Sequence, residues 1–354
     1  MLHVPKAAVC PLRQAWMSAC ITVSETSLRG VDMVQRRHFL VASACAGLAR
    51  HVIAKPQAGP PVKLVIPYAA GANSDVFTRA LAQRVTEQGG PVFVVENRPG
   101  GGGAIAAMAV KQAPPDGLTL LAANVGSHAI LPAMQPLGYN PLLDFAPITQ
   151  LFYFSNFLVV PARVPVHTVS HLLEWAGQQA QGLSYGSQGI GSPGHLLGAM
   201  LAQKAPQNRI VHVPYAAGGG PMNMDLLAGR LDMVFSTYAS LQSQAAQGKV
   251  KFLALASARR SALLPQVPTM AEAGFAGVEL DSWFGLVAPA GTSSEVVQRL
   301  GQQFAAAAES ADLRRWLAAQ GVSVAVDGAQ ALSERMGNDL RRFSQLAHQV
   351  ALDG

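Results

Sequence analysis

The sequence predicts an α/β protein in which short buried strands alternate with helices. Runs of branched apolar residues recur along the chain, and most are followed by a loop of small residues and a segment of helical periodicity. Strands that alternate with helices in this way are typical of βαβ units, and such units predict parallel sheets. The length of 354 residues, at roughly 150 residues per domain, predicts about two domains.

The first unit illustrates the pattern. Residues 62–66 (VKLVI) are a branched apolar run that a proline follows, which is typical of a buried strand. A helical pattern comes next, with apolar residues at the first, fifth and ninth positions counted from Phe77. We expect Asn73 or Ser74 to be the N-cap of this helix, because both side chains accept hydrogen bonds from free backbone N–H groups.

Further units follow along the chain. The other strand candidates are residues 92–96, 118–122, 183–185, 210–213, 233–235, 252–256 and 283–288. Helical patterns lie between them, and two more close the chain, one through Phe304 and one over residues 332–350.

A repeated hexapeptide bears on the domain organisation. The segment IPYAAG at 66–71 recurs as VPYAAG at 213–218, and each copy ends a predicted strand. The helix after each copy carries an acid, Asp75 or Asp225. Chance is one interpretation in a chain rich in Ala and Gly. The other is two domains, each of which presents a strand-to-helix loop to a shared cleft.

Charge is concentrated at the N-terminus. Residues 1–54 hold six of the 26 basic and two of the 20 acidic residues, so the remainder carries a net charge of only +2. Nothing after residue 54 resembles a basic stripe that binds phosphates, which argues against nucleic acid as a partner. No continuously apolar stretch reaches the roughly 18 residues of a membrane span.

Residues 34–54 have the features of an export signal. Arg36 and Arg37 precede an apolar stretch, residues 39–49, and small residues precede a cleavage site after Ala54. The Arg-Arg-x-Phe-Leu pattern predicts export to the periplasm by the twin-arginine route, with Met33 as a possible true start.

Two other interpretations of this segment remain open. In the first, the segment is a buried helix of the domain. In the second, it is a lipoprotein signal that anchors the protein at Cys45. All three cysteines lie in residues 1–54, so cleavage after Ala54 leaves a mature chain without a thiol, beginning near Lys55.

Four loops have the composition of an anion site. Residues 68–75, 124–128, 187–195 and 215–220 follow predicted strands, consist largely of small or polar residues and contain no Lys or Arg. Ligands of open parallel sheets bind beyond the carboxyl ends of the strands, where helix N-termini offer free N–H groups and partial positive charge. The loops therefore predict a small carboxylate held by backbone amides and hydroxyls.

Enzyme motifs fit less well. Residues 189–194 (GIGSPG) match G-x-G-x-x-G, but the acid that a dinucleotide site needs about 20 residues later is missing. Residues 182–186 (GLSYG) match G-x-S-x-G, but Ser184 falls inside a predicted strand rather than on a sharp turn. A dehydrogenase or hydrolase is thus the weaker hypothesis.

Several single residues allow two interpretations. His128 and His195 lack a second ligand at i+3 or i+4, so lining or capping roles are favoured over metal binding. Tyr68 and Tyr215 are either core residues or matched cleft residues. The same choice, core or cleft wall, applies to Trp283 and Phe284.

Taken together, several segments carry a family resemblance. These segments are residues 66–75, 95–100, 114–117, 185–187, 192–196, 212–215, 263–269 and 283–291. From about Pro61 onward the chain resembles the Bug-type extracytoplasmic solute-binding proteins of the tripartite tricarboxylate transporter family. The resemblance implies a two-lobed periplasmic-binding-protein fold of type II with a cleft between the lobes. It places residues 60–156 and 283–354 in the first lobe and residues 157–282 in the second.

The same resemblance implies a function. A small organic carboxylate is captured for uptake by the membrane subunits of a tripartite tricarboxylate transporter, by a monomer that is not an enzyme and uses no cofactor or metal. The alternative is a ligand sensor for a membrane signalling protein. We expect the ligand to contact Tyr68, Ala70, Gly71, Asn73, Ser74, Asp75, Asn124, Ser127, His128, Ser187, Gly189, Ser192, His195, Tyr215, Ala217, Gly218 and Ser236.

The chain departs from the family pattern at two places. The first loop usually reads Tyr-Pro-x-Gly-Gly-x-Thr-Asp, whereas residues 68–75 here read YAAGANSD. Ala72 replaces a glycine and Ser74 keeps a hydroxyl. Residues 235–237 (FST) stand where an Asp commonly follows the strand, so a partner for a ligand amine is lost. The sequence thus predicts a carboxylate held by neutral groups, with Ser74 and Ser192 contributing from opposite lobes.

Overall fold

The computed structural model describes residues 59–205, 209–215 and 218–349. The predicted export signal at 1–54 and the predicted ligand residue Ala217 lie outside the described residues.

The described residues form strands that belong to two sheets. The strands are β1 (Val62–Ile66), β2 (Phe93–Asn97), β3 (Thr119–Asn124), β4 (Phe145–Ser155), β5 (Phe157–Pro161), β6 (Leu183–Ser187), β7 (Ile210–Pro214), β8 (Met233–Ser236), β9 (Val250–Leu255), β10 (Asp281–Pro289) and β11 (Val322–Val324). The first sheet has the order β11-β4-β10-β3-β1-β2, and the second has the order β7-β6-β8-β5-β9.

Helices connect most of the strands. They are α1 (Asn73–Glu87), α2 (Ala104–Lys111), α3 (Leu131–Met134), α4 (Val169–Gly177), α5 (Pro193–Lys204), α6 (Gly219–Leu227), α7 (Tyr238–Ala246), α8 (Ser294–Ala308), α9 (Ala311–Ala319) and α10 (Gly328–Gln349). In the described part of the chain, no helix combines the length and the apolar character needed to cross a membrane.

The two sheets define two lobes, and the chain passes between them twice. The first lobe surrounds the first sheet and uses both ends of the described chain, and the second surrounds the second sheet. Strand β4 continues into β5 through the single residue Asn156, and β10 brings the chain back. The two-lobed α/β architecture was predicted correctly, whereas the boundaries at 156/157 and 282/283 stay a prediction.

Both sheets are mixed, so the expectation of parallel sheets was wrong. Strands β1, β2 and β3 are parallel, as are β6, β7 and β8, but β10 runs antiparallel to β3 and to β4. Strand β5 runs antiparallel to β8 and β9. Two of the exceptions, β5 and β10, arrive from the other lobe, so each starts at the cleft, where the βαβ strands end. Strand β11 is a third exception, since it runs antiparallel to β4.

The predicted strands match observed ones within two residues, but β4, β5 and β11 were missed. Strand β4 mixes apolar residues with Pro147, Thr149 and Gln150, which hides it in the sequence. Helix α1 begins at Asn73, and the N-cap is Ala72, which has no capping side chain, so the expected cap was wrong. Instead Asp75 Oδ2 accepts a hydrogen bond from the Gly71 N–H, at 2.9 Å.

A row of aromatic rings leads from the first-lobe core toward the cleft. Phe152 is fully buried, and its ring stacks on that of Phe284 with centroids 5.1 Å apart. Phe154 lies 5.8 Å from Phe284 and is only half-buried. Trp283, on the opposite face of β10, is fully buried, and its Nε1–H donates to Asp339 Oδ2 of α10 at 2.7 Å. Of the two candidates, Trp283 is therefore a core residue.

Candidate functional site

A cavity of about 330 Å³ lies between the two lobes. The crossing strands form part of its wall, and the loops after β1, β3, β6 and β8 form much of the rest. It is lined by Tyr68, Gly71, Ala72, Asn73, Ser74, Asn124, Val125, Phe154, Asn156, Gln188, Pro193, Gly219, Gly220, Asn223, Thr237, Ala239, Ser240, Ser282 and Phe284.

Four helix N-termini meet at this cavity. Helices α1, α5, α6 and α7 each place at least one residue of their first turn on its wall. The first N–H groups of a helix have no partner within the helix, and the helix dipole places partial positive charge there. One of these ends belongs to the first lobe and three belong to the second, and their convergence on one cavity suits a small anion.

The polar side chains on the wall are neutral. Five are amides, three are aliphatic hydroxyls of the second lobe or the crossing strands, and Ser74 and Tyr68 add two more hydroxyls. Among the described lining residues there is no Lys, Arg, His, Asp or Glu. An anion in this cavity is therefore held by dipoles and hydrogen bonds rather than by an opposite charge.

One side of the cavity is apolar. Phe154, Phe284 and Tyr68 contribute rings to the wall, and the centroids of Tyr68 and Phe284 are 6.1 Å apart. Burial raises the pKa of the Tyr68 phenol to about 12, so this group stays protonated and can donate a hydrogen bond. The wall thus combines an apolar surface for a ligand body with polar groups that fix its orientation.

Asp75 stabilises the first loop, residues 68–75, from the side that faces away from the cavity. This carboxylate is buried and accepts hydrogen bonds from the Gly71 N–H, Arg79 Nε and Asn97 Nδ2, each at 2.9 Å. Asn97 Nδ2 also donates to the Tyr68 carbonyl at 2.9 Å. Asp75 therefore positions the loop. Its carboxylate is paired with Arg79 and does not line the cavity.

The lobes contact each other directly across the cavity. Asn73 Nδ2, at the start of α1, donates to Thr237 Oγ1 at 2.8 Å and to Ser240 Oγ at 2.9 Å. These two hydroxyls belong to the N-cap and first turn of α7 in the second lobe. Asn73 thus links two of the four helix ends.

On another side the lobes approach backbone to backbone. A Cβ atom on Gly102 of the first lobe would lie 2.8 Å from the Ile190 carbonyl oxygen of the second, and Gly102 has a φ of 61°. A side chain here would therefore both clash and adopt a strained backbone. A second cavity of about 420 Å³ lies beside this contact and shares Tyr68 and Gln188 with the first.

Comparison with known proteins assigns the chain to a family. A family model described as "Tripartite tricarboxylate transporter family receptor" matches residues 77–352. The chain belongs to this receptor family. The family is one of solute-binding receptors, in agreement with the resemblance drawn from the loops.

Three solved structures are similar over nearly their full length. The periplasmic binding protein BugD is 30% identical, with a TM-score of 0.77, over 82% of this chain and 98% of BugD. MatC from Rhodopseudomonas palustris, solved with bound malate, is 28% identical with a TM-score of 0.75, over 81% of this chain and 98% of MatC. An R. palustris protein with adipate is 32% identical with a TM-score of 0.77, over 82% of this chain and 97% of that protein.

The structure brings seven of the predicted ligand residues to the two cavities. Five lie on the wall of the first cavity: Tyr68, Gly71, Asn73, Ser74 and Asn124. Gly189 and Gly218 line only the second cavity. Whether these residues contact a ligand stays a prediction.

The other predicted residues of the described chain do not line either cavity. Ala70 is exposed, and the remaining side chains are occupied in supporting the loops or the core. They are Asp75, Ser127, His128, Ser187, Ser192, His195, Tyr215 and Ser236. These positions have one physical reason: a loop can line a cavity while half of its side chains point back into the lobe that carries it. A role of these residues in ligand binding stays a prediction.

In the second lobe the supporting residues form one cluster. Ser187 Oγ lies 2.7 Å from His212 Nε2, and the His212 and His195 rings are 4.3 Å apart. His195 Nδ1 accepts the Gly191 N–H at 3.3 Å. Burial, together with the neighbouring His195, lowers the pKa of His212 to about 4, so this cluster is neutral near neutral pH.

Ser127 and Tyr215 also make internal hydrogen bonds. Ser127 Oγ lies 2.9 Å from His128 Nδ1, and its backbone N–H donates to Asn124 Oδ1 at 3.1 Å. Tyr215 donates to Asp225 Oδ2 at 2.7 Å. Ser236, the last residue of β8, is 1% exposed. Ser127 therefore orients Asn124, while Tyr215 and Ser236 stabilise the second lobe.

Several wall residues were missed by the sequence reasoning. Thr237 and Ser240 follow the noted Ser236 by one and four residues, and their Thr-x-x-Ser spacing at a helix start was an available signal. Asn156, Ser282 and Phe154 come from the crossing strands, and Asn156 Nδ2 donates to Ser282 Oγ at 2.9 Å. No local pattern marks Asn156 and Ser282 as neighbours, because they are 126 residues apart along the chain.

We expect Ser74 and Ser192 to differ in their roles. Ser192 Oγ accepts the His195 N–H as the N-cap of α5 and does not line the cavity, so Ser192→Ala should lower stability by about 1 kcal/mol. Its effect on carboxylate affinity should be within about twofold. Ser74→Ala should instead weaken binding roughly 10-fold or more, because Ser74 lines the wall. Melting curves and calorimetric titration separate the two, and equal losses of affinity would contradict this assignment.

We also expect His128 to make the fold acid-sensitive. The imidazole is fully buried beside Tyr139 and Phe145, and burial lowers its pKa to about 3. The unfolded chain has a His pKa near 6.5, so it binds the proton first as pH falls. Stability is then lost below about pH 6.5, by up to about 1.4 kcal/mol per pH unit, until the pKa of the folded state is reached.

Urea unfolding of the protein and of His128→Phe at several pH values tests this. Between about pH 6 and pH 4 the free energy of unfolding of the variant should fall less steeply. Parallel curves would mean that His128 does not contribute to acid sensitivity.

Proposed function

We propose that this protein captures a small organic carboxylate between its lobes and delivers it to the membrane subunits of a tripartite tricarboxylate transporter. The main support is the convergence of four helix N-termini on a cavity whose described lining residues are uncharged. Family membership supports the transporter as partner. The malate and adipate held by two similar proteins support the ligand class.

Binding by this arrangement follows from electrostatics. The carboxylate leaves water and accepts hydrogen bonds from N–H groups of helix ends and from amides and hydroxyls that are already oriented. Because the wall comes from both lobes, a ligand contacts both and stabilises the arrangement in which Asn73 reaches Thr237 and Ser240. A transporter can then distinguish a closed, loaded protein from an open one.

A titration series tests the proposal. A panel of mono-, di- and tricarboxylates is screened by thermal shift, and binders are titrated by calorimetry at low and high salt. We expect at least one carboxylate to bind, with an affinity that changes less than about threefold with salt, since fixed dipoles in a desolvated site are poorly screened. No binding by any carboxylate, or a loss of several powers of ten with salt, would overturn the proposal.

The proposed site of action is the periplasm. The similarity to BugD, a periplasmic binding protein, supports it, and so does the sequence pattern of an export signal. We propose twin-arginine export and cleavage near Ala54. The intact mass of protein recovered from the periplasm should correspond to a chain that begins near Lys55, and retention of Cys45 would contradict the cleavage site.

A further inference from the structure

Two residues of the cavity wall each carry a buried polar atom that has no hydrogen-bond partner among the described residues. The atoms are Asn124 Nδ2 from the first lobe and Asn223 Oδ1 from the second. Buried polar groups are almost always paired in folded proteins. Because Asn124 and Asn223 line one cavity from opposite lobes, their unpaired atoms indicate what a ligand has to supply.

The orientation of Asn124 is fixed by its neighbour. Its side chain is 1% exposed, and Oδ1 accepts the Ser127 N–H at 3.1 Å. The amide nitrogen is thus the free end, and it is a donor that needs an acceptor. A carboxylate oxygen, held at the same time by helix N-termini, satisfies it.

Asn223 presents the opposite requirement. It lies one turn into α6, and its unpaired atom is an oxygen, which needs a donor. A carboxylate oxygen cannot provide one near neutral pH, because it carries no proton. The other half of the ligand therefore carries an N–H or O–H group.

The charge of the wall decides which donor is suitable. An ammonium group would enter a cavity whose described lining residues include no carboxylate to pair with it. A second carboxylate is ionised near neutral pH, so it could not donate to Asn223 Oδ1, and it would add a second negative charge to a wall that has no cation. An uncharged hydroxyl can donate to Asn223 Oδ1 without needing a charged partner on the wall. Phe154 and Phe284 offer an apolar surface to the carbon skeleton of the ligand.

We propose that the ligand is a hydroxy acid with one carboxylate, an apolar body and an uncharged hydroxyl. The carboxylate accepts from Asn124 Nδ2, and the hydroxyl donates to Asn223 Oδ1. This assignment rests on the proposed function and narrows its ligand class.

Two matched ligand series test the inference by calorimetry near pH 7. The aliphatic series is hexanoate, ω-hydroxyhexanoate and adipate, and the aromatic series is benzoate, para-hydroxybenzoate and terephthalate. Within each series only the group opposite the carboxylate changes. We expect the hydroxy member of at least one series to bind roughly 10-fold or more tightly than both of its partners, because it alone satisfies a buried acceptor without adding charge.

Variants of Asn223 assign the preference to its amide. Asn223→Leu should remove the advantage of the hydroxy member while leaving the unsubstituted acid within about threefold. Asn223→Asp keeps the shape and places a negative charge at the acceptor, so it should gain binding of ω-aminohexanoate. Gln303→Leu is the matched control: it removes another unpaired buried amide oxygen, but on α8 and away from the cavity, and it should leave the preference intact.

The outcomes separate this inference from the proposed function. Absence of binding by any carboxylate of the wider panel overturns both. If some carboxylate binds but neither hydroxy member outperforms its partners, only the hydroxy-acid assignment fails. It fails as well if the preference survives in Asn223→Leu with an unchanged melting curve. If Asn223→Leu does not fold, the gain of ω-aminohexanoate binding by Asn223→Asp decides, and its absence counts against the assignment.

Discussion

Asn124→Asp is expected to weaken carboxylate binding by about 100-fold or more. The exchange keeps the oxygen that accepts the Ser127 N–H and replaces the free N–H donor on the cavity wall by a negative oxygen. A hydrogen bond to a charged group contributes about 1.5–3 kcal/mol, and its loss alone corresponds to roughly 10- to 150-fold in affinity. Repulsion between two negative charges in a site shielded from water adds to that loss.

Calorimetric titration with a carboxylate from the panel measures the effect. Gln303→Glu makes the same amide-to-acid exchange on α8, away from the cavity, and should leave affinity within about twofold. Circular dichroism and melting curves confirm that both variants are folded. A loss below about fivefold in a folded Asn124→Asp protein would mean that the carboxylate binds elsewhere in the cleft.

Trp283→Ala is expected to be the most destabilising of the substitutions considered. The indole is fully buried in β10, and its Nε1–H donates to Asp339 Oδ2 at 2.7 Å. Removing a buried aromatic side chain costs about 3–5 kcal/mol because it leaves a cavity. The change also removes a partner of the buried Asp339 carboxylate, which among the described residues still accepts from Arg335 Nε at 3.0 Å. Urea unfolding measures the total.

Trp316→Ala provides the matched control. Trp316 is 39% exposed on α9 and contacts Phe77 at a ring-centroid distance of 5.7 Å. Its truncation should cost less than about half as much as that of Trp283. Trp283→Phe separates the two contributions, since it keeps most of the ring volume and loses the hydrogen bond. Comparable losses for the two alanine variants would contradict a core role for Trp283.

The first loop illustrates how far a local pattern can be taken. Its position between β1 and α1 follows from a buried strand followed by a small-residue loop and an amphipathic helix, and the structure agrees. The sequence also marks Tyr68, Gly71, Asn73 and Ser74, which line the cavity. It marks Asp75 equally strongly, but that carboxylate turns away to the Gly71 N–H and Asn97. Adjacent positions in one loop differ only in side-chain direction, which the loop sequence does not encode by itself.

The end of β8 shows the same limit on a finer scale. Ser236 and Thr237 are adjacent hydroxyl residues, and the strand-end pattern predicts one of them in the cleft. Ser236 is buried, whereas Thr237 lines the cavity as the N-cap of α7 and meets Asn73. The choice depends on where the strand stops and the helix starts. Thr237 marks the helix start, because its side-chain oxygen accepts the Ser240 N–H.

The α/β class, the family resemblance and the prediction of an anion site made of neutral loops could all be drawn from the amino-acid sequence. These properties follow from hydrophobic periodicity, glycine placement and the absence of charge, all of which are local. The tertiary structure decided the rest: the mixed sheets, the crossing strands that bring Asn156 to Ser282, and the placement of Asn124 and Asn223 on one wall. These features depend on which distant segments pack together. That packing is the sum of many weak contacts between distant residues, so no short stretch of sequence reveals it.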